Sequence, residues 1–312
     1  LLSDILYKVR LEEVTGSTHI AIASVTFDSR KVKKDALFVA VRGTTTDGHA
    51  FIEKAVSLGA IAVVCEQMPE HQQENITYVK VTDSSYALGL IACNFFDNPS
   101  EQFRLVGVTG TNGKTTTATL LYNLFRSLGH SVGLISTVQN KVNSTVIPAT
   151  HTTPDALALN ELLRTMAEQD CEYVFMEVSS HAIAQNRIAG LRFAGAVFTN
   201  ITHDHLDYHK TFDEYIRAKK KFFDMLPSDA FSLTNKDDKN GPVMLQNTKA
   251  ARYTYALRSV ADFKCRIVES HLNGLLLNID NQELWVRLIG TFNAFITNKV
   301  TMYTCVRLIA LQ

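Results

Sequence analysis

The sequence predicts an α/β protein: a small N-terminal α/β domain followed by a phosphate-loop-type central domain built on a mainly parallel sheet. Three observations predict it. Short apolar runs alternate with helix-like stretches along most of the 312 residues. A cluster of turn formers, Asp97-Asn98-Pro99-Ser100, interrupts that alternation. A glycine-rich loop, Gly110 to Thr116, stands between a strand-like run and a helix-like one. A chain of this length exceeds what one core usually fills, so domains at 1–98 and 99–312 are expected.

In the first domain, Ala36 to Val41 and Ala60 to Cys65 read as strands, with a helix over Ala50 to Leu58 between them and another through Tyr86 to Phe96. After the turn formers, Leu105 to Thr109, Ser131 to Ser136, Tyr173 to Val178, Ala194 to Thr199 and Ala230 to Thr234 are strand-like. Helical segments, among them Ala118 to Leu128, separate most of these runs, and such alternation implies a parallel sheet covered on both faces. Beyond about Arg252 the runs shorten to Lys264 to Glu269, Gly274 to Ile279 and Leu284 to Ile289, divided by Asn, Asp and Gly. An antiparallel addition follows from that spacing.

Composition excludes several classes of partner. Lys plus Arg and Asp plus Glu are both 31, so no overall basic field exists to hold nucleic acid or an anionic membrane surface. No apolar stretch is long enough to span a membrane, and the first ten residues lack a signal-peptide layout. The five cysteines are scattered, without paired spacing, which reads as reduced thiols and a cytoplasmic location. A chain that starts without Met and ends on an apolar run is expected to have one or both ends removed or altered.

The loop Gly110-Thr111-Asn112-Gly113-Lys114-Thr115-Thr116 carries the chemistry. Glycines let backbone N–H groups approach phosphate oxygens, the following helix adds its positive end, Lys114 supplies charge, and the Thr115 hydroxyl suits magnesium. The strict phosphate-loop pattern would place glycine at 108, where the sequence has Val108, with Gly107 and Gly110 to either side. Glu177 closes an apolar strand and should sit at the sheet edge beside this loop, although such a residue also suits a solvated loop. His205 lies among three His and two Asp, which fits metal binding or a capped surface loop. Lys219, with Arg217, Lys220 and Lys221, reads from composition as a solvated basic helix face.

The run Gly107 to Thr116 resembles the ATP loop of the Mur ligases, the amide-forming enzymes of bacterial cell-wall synthesis; folylpolyglutamate synthetases carry a similar one. Glu177-Val178-Ser179-Ser180-His181, Asn200 through His209, and Tyr215-Ile216-Arg217-Ala218-Lys219 sharpen the resemblance to the Mur branch that makes the UDP-N-acetylmuramyl-tripeptide. Asp28-Ser29-Arg30, Leu37 to Val41 and Asp47-Gly48 resemble that branch's UDP-sugar domain. The likeness covers nearly residues 1–295. Ile296 then stands where a second Asn is expected, and no counterpart of the family's C-terminal domain follows.

The resemblance implies ATP, magnesium, and CO2 held as a carbamate on Lys219. It implies metal ligation by Thr115, Glu177, His205 and the Lys219 carbamate. Ser29 and Thr44, Thr45 and Thr46 are implied for the UDP part of the acceptor, and Thr152, Thr153, Ser179, Gln185 and Arg187 for the muramyl-peptide part; Ser29 as a turn cap and Arg187 paired with a carboxylate are the bland alternatives. The implied reaction joins a diamino acid to UDP-N-acetylmuramoyl-L-alanyl-D-glutamate through an acyl phosphate. The enzyme is expected as a monomer, and the chain without the C-terminal domain as inactive alone; meso-diaminopimelate and L-lysine are not distinguished. Rival readings are another ligase of the superfamily, a phosphate-loop kinase or GTPase, for which Asn235-Lys236-Asp237-Asp238 comes near a guanine-reading motif, and a non-catalytic nucleotide-binding module.

Overall fold

The computed structural model describes residues 1–43, 46–149, 151–202, 206–271, 274–279, 282–287 and 292–310. The chain forms two compact units that are discontinuous in sequence: Leu1–Glu101 with Pro154–Arg164 and Gln185–Leu191, and the remaining residues from Gln102 onward.

The first unit contains α1 (Leu2–Ile5), β1 (Leu11–Thr15), β2 (Ser24–Thr26), β3 (Ala36–Val39), α2 (Ile52–Ser57), β4 (Ala60–Cys65), β5 (Thr77–Val81) and α3 (Ser84–Phe95). Its sheet runs β1-β5-β4-β3-β2. The pairings from β2 to β5 are parallel, and β1 closes the edge antiparallel. All four residues of β3 are buried, as expected of a parallel strand covered on both faces. Successive side chains alternate between two cores: Leu37 and Val39 pack with Val64, Val79 and Ile91, whereas Phe38 and Ala40 pack with Ile52, Val63 and Tyr78. Asp83 caps α3 by accepting the Tyr86 N–H, and the helix ends into Asp97 and Asn98, both with left-handed backbone. The turn signal read from those residues has this conformational basis.

The second unit's sheet begins with β6 (Arg104–Thr109), which leads into α4 (Lys114–Ser127), β7 (Val132–Ile135), and the hairpin β8 (Gln139–Val142) and β9 (Thr145–Pro148). Then come α5 (Ala156–Glu168), which belongs to the first unit as far as Arg164, β10 (Tyr173–Glu177), α6 (Ser180–Ala184), β11 (Gly195–Phe198), α7 (Leu206–His209), α8 (Phe212–Asp224), β12 (Phe231–Asn235), α9 (Gly241–Met244) and β13 (Ala251–Ala256). The described chain ends with β14 (Phe263–His271), β15 (Gly274–Ile279), β16 (Gln282–Arg287) and α10 (Phe292–Ala310). The sheet order is β16-β15-β14-β13-β12-β11-β6-β10-β7-β8-β9. Pairing is parallel from β7 through β14 and antiparallel at both ends, so the expected antiparallel addition is present as β14–β16. On one face, Leu121, Tyr122 and Phe125 of α4 share a core with Val106, Phe175, Leu233, Val300 and Leu308.

Strand β6 is central, with β10 on one side and β11 on the other. The connection from β6 runs through α4 past β10 to β7, and the connection from β10 runs back past β6 to β11, so the winding reverses around β6 and its C-terminal end is the switch point where open α/β sheets bind ligands. Among the described residues no helix is long and apolar enough to cross a membrane.

Candidate active site

The glycine-rich loop joins β6 to α4 at that switch point, as the sequence predicts. Gly110 has φ +146° and Gly113 has φ +89°, values an L side chain rarely adopts. A Cβ on Gly110 would also collide with the Thr199 hydroxyl. Gly107 serves a different purpose: its absent Cβ would lie 2.5 Å from the Phe222 ring and 2.9 Å from Val178, so this glycine admits packing over the strand. Val108 is fully buried within β6 and pairs in register with Glu177, which explains why the loop departs from the strict pattern there.

A clamp on the segment after β11 shapes the loop. Asn112 N–H donates to Asn200 Oδ1 at 3.0 Å, and Asn200 Nδ2 returns a bond to the Asn112 carbonyl at 2.9 Å. Thr199 Oγ1 donates to the same carbonyl at 2.7 Å, and Thr111 N–H to the Asn200 carbonyl at 2.8 Å. Lys114 Nζ folds back over the loop, 3.0 Å from the Gly110 carbonyl and 2.8 Å from that of Thr111.

Lys219 is 1% exposed, so the solvated-face reading fails for this member of the basic run. Its position follows from α8, which begins where Thr211 Oγ1 accepts the Glu214 N–H and which buries Tyr215, Lys219, Phe222 and Phe223. Lys219 Nζ donates to the Gly110 carbonyl at 3.0 Å, the atom that Lys114 also contacts, and lies 4.5 Å from the centroid of the Tyr215 ring. The Tyr215 hydroxyl is 3.2 Å from Thr111 Oγ1. Two ammonium groups therefore meet one loop carbonyl.

Glu177 ends β10 one strand from the loop and is fully buried, which removes the solvated-loop reading. Thr137, just beyond β7, holds both carboxylate oxygens: its N–H donates to Oε1 at 2.8 Å and its hydroxyl lies 3.2 Å from Oε2. Thr153 Oγ1 donates to the Glu177 carbonyl at 2.9 Å and accepts the Ser179 N–H at 3.2 Å. Thr152 Oγ1 is 3.1 Å from Thr137 Oγ1. The structure thus gathers Thr137, Thr152, Thr153, Glu177 and Ser179. The roles of Thr137, Thr199 and Asn200 escaped the sequence reading, although each ends or directly follows a strand-like run and the sheet-edge rule that singled out Glu177 applies to all three.

In the first unit, Ser29 is buried in a short 3-10 turn, and Asp28 supplies the cap by accepting the Arg30 N–H, so the turn-cap role belongs to Asp28. The Arg30 guanidinium donates to the same carboxylate and holds it at about 2, well below its ordinary range. Arg187 Nε and a terminal guanidinium nitrogen both reach Gln185 Oε1, at 3.0 and 2.6 Å. Thr46 is exposed, and its carbonyl accepts the Gly43 N–H. Thr44, Thr45 and His205 lie outside the described residues.

The run Asn235 to Asp238 is structurally engaged. Asn235 Nδ2 donates to the Thr199 carbonyl. The Asp237 carboxylate accepts N–H groups of Leu257, Arg258 and Ser259. Burial alone would raise its pKa, and these donors outweigh that and hold it below the ordinary carboxylate value. One Asp238 oxygen accepts the Ile201 N–H. A guanine-reading Asp would have to release the loop it now holds.

A glycine-rich loop at the C-terminal edge of a parallel sheet, flanked by a buried carboxylate and a buried lysine, has the setting of a phosphate loop. The Mur ligase middle domain matches residues 108–298, and the Mur ligase family catalytic domain matches residues 21–96. The chain belongs to the Mur ligase family. It is 56% identical over 303 residues to the UDP-N-acetylmuramoyl-L-alanyl-D-glutamate--2,6-diaminopimelate ligase of Cytophaga hutchinsonii, covering 97% of this chain and 62% of that protein. The chain therefore spans about three fifths of the length of the curated relatives it matches. A solved ligase of the same name superposes with a TM-score of 0.83 at 24% identity, over 99% of this chain and 63% of the other. The MurF ligase of Thermotoga maritima, solved with ADP, gives 0.57 at 20% identity, over 92% and 63%.

Proposed function

We propose that the chain serves an ATP-dependent ligase of peptidoglycan synthesis that joins a diamino acid to UDP-N-acetylmuramoyl-L-alanyl-D-glutamate. Domains at 1–98 and 99–312 would divide binding of the UDP-linked acceptor and of ATP. The name of the Cytophaga relative favours 2,6-diaminopimelate as the incoming amine. One observation carries the nucleotide reading: Lys114 and Lys219 converge on the Gly110 carbonyl, inside a loop that turns its backbone at a helix start. Two cations at one atom repel each other, and a polyphosphate, or loss of one positive charge, relieves that repulsion.

Carbamylation of Lys219 answers the same demand. The neutral amine attacks CO2, a C–N bond forms, and a proton is released, leaving an anion on α8. Glu177 and the Thr115 hydroxyl are hard oxygen donors suited to magnesium, and Glu177 is a fully buried carboxylate with no ion-pair partner among the described residues. Magnesium bound there would neutralise charge on the transferring phosphoryl group. His205 would join this set.

In the proposed reaction the acceptor's terminal carboxylate oxygen attacks the γ-phosphorus of ATP and ADP departs, giving an acyl phosphate. The amine of the diamino acid then attacks the acyl carbon and phosphate leaves. Lys114 orients and stabilises the phosphoryl group, and the amides of the loop hold the polyphosphate, so the residues act by position and charge. Ser29 and the Thr44 to Thr46 loop would hold the UDP part; Thr152, Thr153, Ser179, Gln185 and Arg187 would hold the muramyl peptide.

Calorimetric titration of the chain with magnesium-ATP tests this. The wild type should bind, and Lys114→Ala should weaken binding by about 10- to 100-fold, the range for losing a charge-assisted bond. Equal affinity in both would remove the loop assignment.

A further inference from the structure

We propose that Thr137 is a positioning residue that fixes the Glu177 carboxylate for magnesium-nucleotide and links it to the segment carrying Thr152. The proposal rests on the nucleotide reading above. It arises from the way the carboxylate is held: the backbone N–H of Thr137 takes one oxygen at 2.8 Å and its hydroxyl the other at 3.2 Å. A single residue therefore sets the rotation of a group that is completely buried.

The hydroxyl also lies 3.1 Å from Thr152 Oγ1. A hydroxyl has one proton to donate, and an ionised carboxylate only accepts. The Thr137 hydroxyl is placed to donate to either Thr152 Oγ1 or Glu177 Oε2, so it joins a residue expected to meet the acceptor to one expected to meet the metal. Thr153 fixes the backbone beneath it through the Glu177 carbonyl and the Ser179 N–H. The side-chain hydroxyl of Thr137 thus leaves one of the carboxylate's two oxygens held by a donor that substitution can remove, while the main-chain donor to the other oxygen remains.

Removing the hydroxyl frees Oε2 to rotate and leaves the fold's backbone bond intact. Thr137→Val should weaken binding of magnesium-ADP by about tenfold, the effect of losing one bond to a charged group, with little change for ADP in excess chelator. Thr137→Ser, which restores the hydroxyl, should recover most of the loss. The experiment is isothermal titration of wild type, Thr137→Val and Thr137→Ser with ADP, with magnesium and with chelator, beside thermal unfolding of each. A wild type in which magnesium adds nothing to ADP binding would overturn the nucleotide reading itself. A wild type that shows the magnesium effect, with Thr137→Val retaining it in full, would overturn only the positioning role. Equal weakening with and without magnesium, accompanied by a lower unfolding temperature, would also overturn it, because that is the signature of a merely structural threonine.

Discussion

Single residues here take on roles that their types alone do not disclose. Gly110 combines a backbone angle that L side chains avoid with a collision against Thr199, so Gly110→Ala should cost about 1–3 kcal/mol of stability and lose magnesium-ATP binding together. Thermal unfolding and nucleotide titration of that variant measure both, and a Gly110→Ala protein of unchanged stability and full affinity would show that the loop geometry is not required. Asp28 offers a pH test in the other unit. Its folded acidity of about 2 lies below its ordinary value of 3.8, so its contribution to stability is complete above pH about 4 and is lost as pH falls through about 2. Asp28→Asn should therefore lower stability at neutral pH and converge with the wild type in strong acid. Parallel acid titrations followed by fluorescence would reveal whether the two curves meet.

At the scale of elements, the strands that the sequence made legible are those buried on both faces, because their apolar runs are continuous: 60–65, 105–109 and 173–177 emerge almost unshifted. Strand β1 is exposed along its whole length, and the β8–β9 hairpin is only partly buried, so neither leaves an apolar run to read. The loop was legible because its glycines and lysine are required locally. The burial of Lys219 was not legible from composition, since it depends on how α8 packs against Gly107 and the loop, a long-range fact that a run of basic residues conceals; only the family resemblance singled this lysine out. That helix starts at a defined cap, with Asp213 and Glu214 at its positive end. Thr211→Ala should cost about 1 kcal/mol and, by loosening the turn that carries Tyr215, weaken nucleotide binding more than a distant surface change of equal cost. Comparing Thr211→Ala with Thr211→Ser in urea unfolding and in nucleotide titration separates cap from side-chain loss.

For the whole molecule, the residues of the proposed sites fall in both units. Every residue placed at the phosphate loop, from Thr109 through Glu177 to Asn200 and Lys219, lies in the second unit, whereas Ser29, Gln185 and Arg187 lie in the first. Nucleotide bound at the loop stabilises the states that hold the loop closed, and hydrogen exchange reports that stabilisation locally. Magnesium-ADP should therefore slow exchange over 107–117 and 199–202, where the Asn112–Asn200 clamp joins loop to strand end, and over the α8 turn at 215–219. The parallel strands β3 and β4 of the first unit, whose cores contain none of these residues, should exchange at the same rate with and without nucleotide. Exchange followed by mass spectrometry, with and without saturating magnesium-ADP, decides the matter. Protection centred on β3 and β4 with an unchanged loop would place the nucleotide in the wrong unit and remove the basis for assigning Lys114, Glu177 and Lys219 to phosphoryl transfer.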